Sequence, residues 1–165
     1  MSNWTHVAGI IRVDSLRLDP LEPDFWEKTI GKECHWGSPK EVWDEAFDHS
    51  ERFMPMGSEG SLHMEVWENP DQSHVDAYTV SIFGDLRDHD DGPYEAKVIE
   101  WFHKACDRIE EVFCVRNAVI EVCNDWNGTA TWSWCGYEEE RGIEEAELLD
   151  LMYEESEAET DDTDA

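Results

Sequence analysis

The densest group of side chains able to do chemistry is the run DLRDHDDGPYE, in which Asp85, Asp88, His89, Asp90 and Asp91 fall within seven residues. Carboxylates and an imidazole at that density suit a divalent cation or an acid–base pair, and the cation reading makes a definite demand on spacing. A helix–loop–helix calcium loop needs oxygen ligands at positions 1, 3 and 5, Gly at 6 and Glu at 12. With Gly92 at position 6, those positions hold Arg87, His89 and Asp91, and position 12 holds Val98, so the demand is not met. The segment fits a strand-to-helix junction better. A strand ends near Leu86 and a helix begins near Pro93, with Pro at the first helical position and Glu95 at the third if Gly92 caps. Asp90 and Asp91 then lie against the unpaired amides and positive end of the helix dipole.

Other constellations resolve the same way. Cys34-His35 pairs a nucleophile with a base, but adjacent residues rarely present both groups to one reacting atom, so a buried thiol and a loop histidine are expected. The seven histidines show no HxH, HxxxH or HExxH spacing, which removes the usual zinc frameworks. The loop PMGSEGSL (55–62) lacks a P-loop lysine, carries Glu59 at its centre and precedes a strand, so it reads as a tight turn rather than a phosphate cradle. Its Gly57-Ser58-Glu59-Gly60 spacing is not a nucleophile elbow. Five cysteines (34, 106, 114, 123, 135) form no CxxC pair. MSNWTHVAGII has neither a basic start nor a long apolar run. Reduced thiols and a cytoplasmic location are expected. No catalytic residue, metal ligand or cofactor is assigned, and the chain is expected not to be an enzyme.

The elements around these residues follow from hydrophobic periodicity. WTHVAGIIRVD (4–14) alternates as a strand. DFWEKTIGKE suggests a short helix ending near Gly31. Ser38, Pro39 and Glu41 form a helix-start signature ahead of a helix carrying Val42, Trp43 and Phe47 on one side. SLHMEVWE (61–68) and VDAYTVSIFGDL (75–86) read as a β-hairpin, the first strand burying Leu62, Met64 and Val66 against an exposed His63, Glu65 and Trp67. YEAKVIEWFHKACDRIEEVF sets Val98, Phe102, Cys106 (or Ala105) and Ile109 at helical spacing, the strongest helix of the chain. CVRNAVIEVC (114–123), a turn containing Asn127-Gly128, and TATWSWCGYE (129–138) complete the series. Trp132 and Trp134 share a face of that last strand, with core packing the default for both.

The resulting order, β-α(α)-β-β-α-β-β, predicts an α+β domain over residues 1–137. A ferredoxin-like βαββαβ antiparallel sheet would have its helices on one face and an extra C-terminal strand. Residues 138–165 form an acidic tail, in which 142–155 has the stripe of an amphipathic helix and 156–165 has nothing to bury and is expected to be disordered.

Charge is the property furthest from the ordinary. Acids number 41 against 12 bases, for a net charge of −29. The tail holds −13 of this and the first 137 residues −16, so the folded body is itself acidic. A small domain stays soluble with a net charge of about 2–8 in magnitude. The excess repels nucleic acid and anionic membrane and attracts basic surfaces. In size and charge the chain resembles the small acidic proteins of bacterial viruses, including anti-CRISPR and anti-restriction DNA mimics. WTHVAGIIRVD and SIFGDLRD look like segments of phage or prophage proteins. The resemblance implies a non-enzymatic inhibitor that occupies a basic nucleic-acid-binding surface of a host defence protein, without binding nucleic acid or membrane itself.

From charge alone, the expected partner-binding residues are Asp85, Asp88, Asp90, Asp91, Glu138, Glu139, Glu140, Glu144 and Glu145. The rival expectation is a small-ligand binder, such as a nucleotide-sequestering protein, for which Arg12, Arg17, Arg87 and Trp67 are the candidates. A structural or accessory phage protein is a third.

Overall fold

A computed structural model describes residues 2–15, 21–47, 51–69, 76–88, 94–126 and 128–135. The elements run β1 (Trp4–Ser15), α1 (Phe25–Thr29), α2 (Lys40–Phe47), β2 (Leu62–Glu68), β3 (Asp76–Arg87), α3 (Tyr94–Glu110), β4 (Cys114–Asn124) and β5 (Gly128–Cys135). The fold is α+β, built on a five-stranded antiparallel sheet in the order β2-β3-β1-β4-β5. One compact unit spans Met1–Trp134; of the second, Cys135–Ala165, only Cys135 is described. The expected tail helix therefore lies outside the described residues.

β1 occupies the centre because it can satisfy both of its edges. It pairs with β3 from Trp4↔Arg87 to Ser15↔Asp76, and with β4 from Thr5↔Asn124 to Asp14↔Cys114. The β1–β4 register shifts between Arg12 and Val13, leaving Arg116 without an opposite number. The period of two sends Val7, Ile11 and Val13 to one face, where Val80, Ile82, Leu86, Ala118, Ile120 and Val122 join them. α3 covers this face with Val98, Phe102, Ala105, Cys106 and Ile109, all buried as the helical spacing predicts. Gly9 permits the close approach, since a Cβ there would stand 3.1 Å from Phe102 Cε2. Trp132 and Trp134 pack against the same core from β5. Burial pushes the Cys106 thiol up to about 12, so it stays protonated and inert.

Two local expectations need adjustment. β2 buries Leu62, half-buries Met64 and leaves Val66 38% exposed, so burial falls off along this edge strand. α2 does start after Pro39, whose carbonyl accepts from the Trp43 amide. Ser38 Oγ, however, accepts from His35 N at 3.3 Å, so the hydroxyl closes the preceding turn instead. On α2, Val42 and Trp43 pack against a separate small core of Cys34, Ala46, Phe53 and Met56. In this core Cys34 is buried while His35 is exposed, and the pair is split between interior and solvent.

The loop at 55–62 is a turn with a specific task. Ser58 N donates to Arg87 O at 2.7 Å, Arg87 N donates to Glu59 O at 2.8 Å, and Arg87 Nη1 meets Glu59 Oε2 at 2.7 Å. The loop thus fastens the end of β3. Gly60 has φ +79, and a Cβ there would run into Asp85 O.

Candidate partner-binding face

The face of the sheet opposite α3 carries no helix among the described residues. The registers define what it presents. One row across the strands reads His63–Phe83–Ala8–Glu121, the next Glu65–Ser81–Ile10–Val119, and the third Trp67–Thr79–Arg12–Asn117. Adjacent strands are about 4.8 Å apart, so each row spans roughly 14 Å. Phe83, Ile10 and Val119 are 43%, 39% and 41% exposed, and Trp67 is 58% exposed at the end of the third row. Exposed apolar residues scattered singly need no explanation. These meet in one patch, with Glu65 and Glu121 on its flanks.

Beyond the first row, the patch ends in an acid–imidazole cluster. His6 Nδ1 meets Asp85 Oδ1 at 2.6 Å, and His6 Nε2 lies 3.5 Å from Asp125 Oδ1. The hydrogen bond to Asp85 chiefly raises the His6 pKa above its ordinary 6.5, opposed by desolvation and reinforced by both carboxylate charges. The two ring nitrogens address different carboxylates, so the three groups do not converge on one ion. Among the described residues no set of three or more His, Cys, Asp or Glu is arranged to hold a metal.

A raised imidazole pKa has a sign for stability. The contribution of His6 is complete below the unfolded value of 6.5 and is lost as pH rises through the higher folded value. His6→Gln should therefore lower the melting temperature more at pH 5.5 than at pH 8.5. The effect stays small, because the side chains of His6 and Asp85 are half exposed and water screens them. Equal losses at both pH values would show that His6 contributes only its shape.

The acids expected to bind a partner separate into groups. Asp85 lies on the open face, engaged with His6. Asp88 belongs to the architecture. It sits at φ +46, accepts from Asn3 N at 3.1 Å through Oδ1 and from Ser58 Oγ at 3.3 Å through Oδ2, and its own amide donates to Asn3 O. Aspartate tolerates this left-handed backbone better than most side chains. Asp90, Asp91, Glu138, Glu139, Glu140, Glu144 and Glu145 lie outside the described residues.

No family model, curated protein or solved structure matches the chain.

Of the residues expected for a ligand pocket, Arg17 lies outside the described residues. Arg87 pairs with Glu59, and Arg12 lies opposite Thr79, eight residues along β3 from Arg87. At about 3.3 Å per residue, this puts Arg12 and Arg87 roughly 26 Å apart. Arg12 and Trp67 instead share the third row of the open face. The apolar centre of that face, Ile10, Phe83 and Val119, was not singled out from the sequence. Its signal is an apolar residue on the polar phase of an alternating strand, and that becomes a patch only when three such strands are aligned.

Proposed function

We propose that this chain is a non-enzymatic inhibitor of phage type, acting in the cytoplasm of a bacterial host by occupying the basic nucleic-acid-binding surface of a defence protein. One observation supports the reading above the rest: a sheet face that bears no helix among the described residues has an apolar centre and a carboxylate margin of Glu65, Glu121, Asp85 and Asp125. Long-range attraction from a chain of −29 would steer a basic partner. Phe83, Ile10, Val119 and Trp67 would supply the short-range contacts that outlast the encounter. Among the described residues no helix is long and apolar enough to cross a membrane.

The body is read as ferredoxin-like with one added strand. β1 lies between β3 and β4, and β3 lies between β1 and β2. Each strand–helix–strand unit thus leaves a gap one strand wide, which a strand of the other unit fills, and this interleaving supports the split βαβ arrangement.

The test is competition. Full-length chain should displace duplex DNA from a basic bacterial defence protein, and its hold on that protein should weaken steeply from about 50 to 500 mM salt as the Debye length falls from roughly 14 to 4 Å. Binding indifferent to salt, or binding that leaves the DNA in place, would remove the reading.

A further inference from the structure

Bases are scarce in this chain, yet they are not evenly spread. Six of the ten described Lys and Arg line two adjoining clefts that share Glu51 and Arg108: Lys28, Lys32, Arg52, Lys97, Lys104 and Arg108. The first cleft, about 260 Å³, lies between α3 and the residues Ala46, Glu51 and Phe53 to Pro55. Along α3, Lys97, Trp101, Lys104 and Arg108 recur at intervals of four, three and four residues. That spacing puts them on one helical stripe aimed at the cleft. Phe53, Met54 and Pro55 form the facing wall.

Three of the six are ion-paired at the rim of the second cleft, Lys28 with Glu22 and Asp24, Lys32 with Glu27 and Arg52 with Glu45, which leaves Lys104 and Arg108 as the better-defined donors of the first. Lys104 Nζ lies 3.1 Å from Glu100 Oε1 and 3.4 Å from Glu51 Oε1, both in solvent-exposed pairs. Arg108 is held more firmly. Its Nε donates to Thr29 O at 2.6 Å, its Nη1 reaches Glu51 only at 4.0 Å, and its Nη2 is buried with no hydrogen bond to any described residue. The guanidinium lines both clefts and is anchored through Nε, so its part-exposed edge is held in a fixed plane suited to a phosphate. Trp101 is positioned as firmly, because its Nε1 donates to Ile30 O at 3.1 Å.

We propose that this cleft binds a small phosphomonoester of about mononucleotide size. The phosphate, with a charge of about −2 near pH 7, lies among Lys97, Lys104 and Arg108, and its flat or apolar body rests against Trp101, Phe53 and Pro55. Size limits the class, since sites for drug-sized ligands begin at about 300 Å³; a cleft of 260 Å³ takes a mononucleotide at most rather than a dinucleotide. Charge limits it again. A nucleic-acid strand would run out of the cleft across a surface whose chain carries −29, whereas a small ligand keeps its anionic group beside the cations. The site lies on the helix side of the body and is independent of the open sheet face.

The probe is AMP, titrated into the full-length chain by calorimetry at low salt, with adenosine and inorganic phosphate as separate arms. AMP should bind more tightly than either fragment. Lys97→Gln with Lys104→Gln should weaken AMP by about tenfold or more, the usual scale for lost charge-assisted hydrogen bonds. Glu51→Gln should strengthen it severalfold by removing a repelling carboxylate from the lining, a gain that general damage to the fold cannot produce. The proposal is overturned if AMP gives no saturable binding, if adenosine or phosphate alone binds as well as AMP, or if the double lysine variant binds AMP unchanged.

Discussion

Phe102→Ala should cost the chain about 3–5 kcal/mol of unfolding free energy, the usual range for a large aromatic removed from a close-packed interior. Phe102 is fully buried and meets Trp132 edge-on, ring centres 5.8 Å apart, so one side chain joins α3 to β5. It also lies over Gly9 of the central strand, where an added Cβ would be 3.1 Å from Cε2 and 3.3 Å from Ile120 Cγ1. The partner variant Gly9→Ala should be destabilising by itself, because the ring must give way. Combined with Phe102→Ala, it should cost less than the sum of the two, since the vacated volume accommodates the methyl group. Urea unfolding of the four chains measures both effects. A midpoint shift worth under 1 kcal/mol for Phe102→Ala would mean that α3 does not close on the sheet as described.

That contact was half legible in advance. The helical spacing of Val98, Phe102 and Ile109 announces which side of α3 is buried, and alternation in 4–14 announces which side of β1. Neither announces that Gly9 and Phe102 meet, because that depends on register and crossing. The same limit explains the uneven record over the rest of the molecule. The strand-to-helix reading of Asp85–Glu95 agrees with β3 ending at Arg87 and α3 starting at Tyr94, since local turn chemistry and periodicity both bear on it. Val66 is more exposed than its alternation implies, because alternation reports a potential buried face and not whether anything covers it on an edge strand. Lys97, Trp101, Lys104 and Arg108 stand in plain sequence at helical spacing. Their facing wall, Phe53 to Pro55, comes from a segment without periodicity, so a charged helix surface would have been the natural reading. Ile10, Phe83 and Val119 are even less accessible to sequence, being separated by seventy-odd and thirty-odd residues. Only the pairing of β1 with both β3 and β4 makes them neighbours.

The patch they form carries the second large effect. Phe83→Asp should abolish partner retention, a loss of at least about thirtyfold if Phe83 acts as a hot spot worth 2 kcal/mol or more. The fold should notice little: Phe83 is 43% exposed, with its edge-to-face contact to His63 on the solvent side of the sheet. Surface substitutions of this kind usually shift stability by no more than about 0.5 kcal/mol. Glu65→Gln and Glu121→Gln probe the margin instead. Each should lower the association rate and flatten the salt dependence while leaving dissociation nearly unchanged, because rim charges act mainly during encounter. Surface plasmon resonance against the DNA-competing partner separates these outcomes. If charge alone carried recognition, Phe83→Asp would add one more carboxylate to an acidic surface and improve binding. The sign of this single substitution therefore distinguishes a patch with an apolar centre from a diffuse anionic field.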